Sequence, residues 1–142
     1  MTFFELQPEV DGGLGSETTG DTIARPPQLD HFHYEFDAWP EDSLIEALCT
    51  YIVTDALKRR LIEAHASGVA FGHVQLTKSG ICEELHPYQK LPPYSWLIIK
   101  GRAGEDDFGM SIDNNLVVSS RIMNLLRGFV INNCDINEYT VS

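Results

Sequence analysis

Paired cysteines, positive charge and long apolar runs are all scarce in this chain. Its three cysteines, Cys49, Cys82 and Cys134, lie far apart with no Cys-x-x-Cys pair. An odd, scattered set argues against a disulfide framework, and free thiols in strand-like contexts behave as small hydrophobes. Ten Lys and Arg stand against 21 Asp and Glu, a formal charge of −11 over 142 residues. Such a surface repels phosphate, which disfavours nucleic-acid and anionic-membrane binding and steers the chain toward a basic partner. Acidity also simply keeps a protein soluble. The best apolar run, Trp96 to Ile99, falls far short of the roughly 20 residues of a membrane span. Met1-Thr2-Phe3-Phe4-Glu5 has neither a basic start nor a sustained apolar stretch, so no signal peptide is expected. These absences together predict a cytoplasmic chain with no membrane contact.

What is present is a phrase said twice. Tyr51-Ile52-Val53-Thr54 is a β-branched run closed by a hydroxyl residue, followed by a helical stripe at Leu57, Leu61 and Ala64. A break at Ser67-Gly68 leads to the strand-like Val69 to Leu76, with Gly68 as the left-handed helix stop. Leu116-Val117-Val118-Ser119 repeats the opening, and Ile122, Leu125, Leu126, Phe129 and Val130 repeat the stripe. The polar–apolar tail from Cys134 to Val141 then alternates as an edge strand does. Thr54 and Ser119 can each cap the helix that follows. Tyr94 to Lys100 reads as a central strand, apolar on both faces. Asp42 or Ser43 can cap a short helix through Leu48. The expected architecture is α+β: one domain over residues 28–142, a mixed sheet with packed helices and two strand–helix–strand units. Residues 1–27, rich in glycine and threonine, are expected as a flexible arm, in which Phe3, Phe4 and Leu6 can add a short strand to the body.

No catalytic signature accompanies these units. Gly20 is followed by Asp21 and Thr22, not by the lysine of a phosphate loop. His31 and His33 on one strand face suit zinc, but no third ligand stands at diagnostic spacing, so a hydrogen-bonded pair is the better reading. Ser119-Ser120 lacks the flanking glycines of a nucleophile elbow and is better explained as a cap. We therefore expect no catalytic residue, no metal and no cofactor. Two dense acidic sites remain, each on a long polar connection: Glu83-Glu84 within Lys78–Pro93, and Glu105-Asp106-Asp107 within Gly101–Gly109. Adjacent acids are commonly just solvated. With Tyr88, Leu91, Tyr94 and Phe108 nearby, they also make candidate partner-binding surfaces, charge for encounter and aromatic groups for grip. The site residues expected are Glu105, Asp106, Asp107 and Phe108, then Glu83, Glu84 and Tyr88.

The run Tyr51 to Leu57 with Gly68-Val69-Ala70-Phe71, then Gly104 to Gly109, Leu116 to Ser119 and Asn133-Cys134, resembles immunity proteins of bacterial polymorphic toxin systems, of the DUF1629 (Imm11/Imm43-like) kind. The resemblance covers roughly Ile52 to the C-terminus and rests on structural residues. It implies a cytoplasmic antidote that binds a cognate toxin delivered by contact-dependent or type VI secretion. With no catalytic set in the sequence, we expect a non-enzymatic inhibitor that occludes the toxin's active site. A basic toxin domain would match the charge. Two alternatives from other classes are a small enzyme working through a carboxylate dyad in a concave pocket, and an adaptor that docks a basic protein without inhibiting it.

Overall fold

The computed structural model describes residues 2–140. Two four-stranded sheets share one core. The first, with strands β6 (Leu44–Ala47), β7 (Thr50–Thr54), β10 (Tyr94–Ile99) and β8 (Val69–Gly72), follows the order β6-β7-β10-β8. The second comprises β11 (Phe108–Met110), β12 (Leu116–Ser119), β1 (Phe3–Gln7) and β13 (Asp135–Tyr139), in the order β11-β12-β1-β13. Helix α1 (Asp55–Glu63) leaves β7 and helix α3 (Ser120–Leu126) leaves β12. The Thr54 hydroxyl accepts from the Leu57 amide and the Ser119 hydroxyl from the Ile122 amide, so both expected caps form. Each contributes about 1 kcal/mol by satisfying an orphan donor.

The two units correspond residue by residue. In each, a hairpin strand pairs with the strand that launches the helix. An antiparallel strand from elsewhere in the chain then separates that strand from its parallel partner. In the first unit the intervening strand is β10, downstream of the unit; in the second it is β1, the first strand of the chain. Registers match about the two caps, since Tyr94 faces Thr54 and Phe3 faces Ser119. Equivalent positions then pair Leu44 with Phe108, Tyr51 with Leu116, Val53 with Val118 and Leu97 with Leu6. Counting from the caps pairs Leu57 with Ile122 and Leu61 with Leu126. All twelve are buried in one cluster, joined there only by Met123, whose counterpart is Lys58. The doubled phrase in the sequence is thus a repeated core unit, its second copy permuted so that its last strand comes first.

The other face of the first sheet is covered as well. A three-stranded layer, β2 (Gly12–Leu14), β5 (His33–Phe36) and β9 (Gln75–Lys78), in the order β2-β5-β9, packs Phe32, Tyr34 and Phe36 against Ile45, Ile52 and Trp96. The short helix α2 (Gly80–Leu85) adds Cys82 to this second core. A ribbon of β3 (Thr19–Asp21) and β4 (Gln28–His31) completes the strands.

Several expectations change. Within residues 1–27, β1 is an inner strand with Leu6 wholly buried, and β2 and β3 both pair, so no separate arm exists among the described residues; Met1 lies outside them. Leu44–Ala47 is a strand, not a helix, because its amides and carbonyls pair with β7 across a two-residue turn. Val69–Leu76 splits into β8 and β9, which join different sheets. Helix α1 stops at His65, which takes the left-handed φ of 52°; Gly68 has φ 78° at the next turn. A side chain at Gly68 would strike the Phe108 carbonyl and the Gly101 backbone, so glycine is needed there for close approach. Strand β10 is internal and β13 is an edge, both as expected.

Candidate functional site

Of the Gly101–Gly109 acids, Asp107 turns inward while Glu105 stays exposed. Asp107 Oδ1 accepts from Ser119 Oγ at 2.7 Å and Arg121 Nε at 3.1 Å; Oδ2 accepts from the Ser67 amide at 2.9 Å and Arg121 Nη2 at 2.5 Å. The same guanidinium donates to the carbonyls of Ala64 and His65 at the end of α1. Burial works against the Asp107 charge, yet the Arg121, Ser67 and Ser119 hydrogen bonds outweigh it and hold this carboxyl below its ordinary range. Asp106 accepts from the Arg102 amide at 2.8 Å, and Glu105 lies 3.7 Å from the Arg102 guanidinium. Asp107 and Arg121 therefore tie α3 to the end of α1, while Glu105 remains exposed beside a likewise exposed Arg102. Phe108 is only 1 % exposed. It is a core residue facing Val118, which corrects its expected role as a surface anchor.

The other expected cluster stays outside. Ser79 caps α2 within the connection read as a loop, accepting from the Cys82 amide. Cys82 faces the core while Ile81 and Leu85, one turn apart, are 65 % and 68 % exposed, and Tyr88 is 96 % exposed. Glu83 and Glu84 flank them, both exposed. Tyr94 is buried, so it adds nothing to this surface. The segment is braced from beneath. Lys78 Nζ donates to the carbonyls of His86 at 2.8 Å and Gln89 at 2.9 Å, pairs with Glu83 at 3.2 Å, and Trp39 stacks on His86 at 5.0 Å. This is an apolar ridge with acidic flanks on a fixed support. The Glu105–Asp107 loop borders a different depression, beside Phe3 and Arg121.

A third acidic group was not legible in the sequence. Past β1 the chain crosses from the second sheet to the first, and Glu9 bridges Ile45 at the edge of β6. This seam opens as a groove of about 610 Å³ lined by Glu9, Val10, Asp11, Glu46, Asn115, Asn133 and Asp135, among others. The Glu9 carboxylate accepts from the amides of Glu41 and Asp42 and from Asn133 Nδ2. Asp42 accepts from the amides of Asn132 and Asn133. Asp11 is held through its backbone, its amide donating to Tyr34 Oη at 3.1 Å and its carbonyl accepting from the Asp37 and Ala38 amides. Its Oδ2 is buried with no hydrogen-bond donor, and the residue is 8 % exposed. Burial, then the adjacent Glu9 carboxyl, push Asp11 up to about 8. Burial likewise raises Asp42 and Glu46, against opposing hydrogen bonds from the Asn133 and Cys49 amides. No Lys or Arg among the described residues forms an ion pair with any of these acids. They come from Glu9–Asp11, Glu41–Asp42 and Glu46, stretches that only tertiary pairing brings together.

The histidines behave as satisfied side chains. His31 Nε2 meets Gln75 Oε1 at 2.8 Å, and His33 Nε2 meets Thr77 Oγ1 at 2.6 Å. Among the described residues no three His, Cys, Asp or Glu side chains converge as a metal site, and no helix is long and apolar enough to cross a membrane. Compared with protein families, with curated proteins and with solved structures, the chain shows no significant match.

Proposed function

We propose that this chain is an inhibitor that binds a basic protein, an immunity protein that neutralises a cognate secreted antibacterial toxin domain by covering its active site. The observation that carries the reading is the α2 ridge. Isolated exposed apolar residues are unremarkable, but Ile81 and Leu85 lie one turn apart on α2 between exposed acids, and Tyr88 is exposed just beyond on a segment braced by Lys78. Exposed apolar groups rimmed by charge mark protein interfaces. The −11 charge speeds encounter with a basic domain, and the ridge slows departure.

Co-expression with the C-terminal toxin domain encoded beside this gene is the test. Rescue of growth supports the reading; death of cells carrying both proteins overturns it. Leu85→Ala and Tyr88→Ala should each raise the dissociation rate by about tenfold while leaving the melting temperature in place. Glu83→Lys with Glu84→Lys should slow association and flatten its salt dependence.

The Asp11–Glu9 pair favours a second reading, acid–base catalysis in the seam, because an acid of raised pKa in a groove suits proton transfer. That reading requires turnover of a small molecule that Asp11→Asn abolishes.

A further inference from the structure

The seam presents a chemical demand the fold leaves unmet. Asp11 lines the groove, its Oδ2 meets no donor within the fold and stands beside the Glu9 carboxyl, and its backbone is fixed on both sides by hydrogen bonds. A buried acceptor without a partner costs roughly 1–3 kcal/mol, and more when charged. We propose that the seam receives the guanidinium of an arginine side chain from the protein partner, bound by Asp11 and Glu9. This deepens the reading given above, which supplies a basic protein as the source of the arginine.

The shape of the site selects the cation. The carboxylates are strung along an open groove and do not converge on one point, which disfavours a compact metal ion. A guanidinium is planar and carries five donors in a fork, suited to carboxylates spread in this way. Val10, 61 % exposed at the rim, offers an apolar surface for the arginine stem. Proton and guanidinium compete for Asp11. The groups around it are Glu9 on its own segment, Asp37 after β5, Glu41 and Asp42 before β6, Glu46 on β6, Asp135 on β13, Tyr34 on β5, Tyr94 on β10 and Cys82 on α2. All are acidic or neutral, so a positive guest meets no competing cation.

The experiment uses the full chain with ¹³C-labelled carboxyl groups and three capped tripeptides, Gly-Arg-Gly, Gly-Lys-Gly and Gly-citrulline-Gly. The arginine peptide should shift the Asp11 and Glu9 carboxyl signals with saturation, more tightly at about pH 8.5 than at about pH 6, since deprotonated Asp11 is the acceptor. Citrulline, isosteric but neutral, should leave them unmoved, and the lysine peptide should bind several-fold more weakly. Asp11→Asn should weaken arginine binding about tenfold. Glu9→Gln gives an independent arm should Asp11→Asn fail to fold. Equal responses to arginine and citrulline, or an unsaturable response shared with Glu83 and Glu84, overturn the site. Equal binding of lysine overturns the guanidinium preference. Arginine binding without rescue in co-expression retains the site and removes the antidote; rescue without arginine binding does the reverse.

Discussion

Asp107 and Asp11 show how far environment separates two carboxylates of one chain. Asp107 is surrounded by donors and Asp11 by acids, so their contributions to stability run in opposite directions with pH. The lowered Asp107 pKa means that its contribution is present above the unfolded value of 3.8 and lost as pH falls through the folded one. Asp11 is raised from 3.8 to about 8, so the unfolded chain releases a proton that the folded chain retains across that interval. Stability is therefore greatest at the acid end of that interval and declines as pH rises toward about 8. Asp11→Asn should flatten this decline, read by urea denaturation at about pH 5 and about pH 8. Asp107→Ala should cost about 2 kcal/mol at neutral pH, because it strands Arg121 and the Ser67 amide together. Neither behaviour could be read along the chain. The Asp107 partners Ser67 and Arg121 lie 40 and 14 positions away, and Asp11, although Glu9 is near in sequence, gains Glu41 and Asp42 only by tertiary pairing.

The β6–β7 hairpin carries an element-scale lesson. Leu48 and Cys49 form its two-residue turn with φ of 49° and 62°, the left-handed pair that Asn-Gly ordinarily supplies. Leu44-Ile45-Glu46-Ala47 is locally helix-compatible, and without an Asn-Gly signal the residues suggest a helix. Pairing with β7 decides otherwise, burying Leu44, Ile45 and Ala47. The double variant Leu48→Asn, Cys49→Gly should relieve the turn and stabilise the fold by about 1 kcal/mol in a thermal or urea melt, since Leu48 is itself 45 % exposed. Legible elements are those with local punctuation. Thr54 and Ser119 announce their helices with a hydroxyl at the strand end, and Tyr94–Ile99 announces a buried strand by apolar residues on both faces. The β8–β9 division depends on which sheet each half joins, and no local signal marks that.

At the scale of the whole molecule, the doubled phrase was readable but its permutation was not, because the missing strand of the second unit stands at the opposite end of the chain. Phe3 faces Tyr139 in the β1–β13 ladder, so a tight turn between residues 140 and 2 would make one continuous hairpin. A permutant joined there and opened at the exposed Thr22-Ile23 segment should retain the native circular dichroism spectrum and cooperative melting. That geometry also sets an order of events during synthesis. Strands β6, β7, β8 and β10 can meet as soon as they are made, whereas Phe3 and Leu6 must wait for Leu116 to Ser119 and Asp135 to Tyr139. Until the ribosome has delivered Leu116 to Tyr139, one half of the core has an adhesive edge and no mate, so a product stalled or cut before that stretch would emerge as a target for chaperones and proteases.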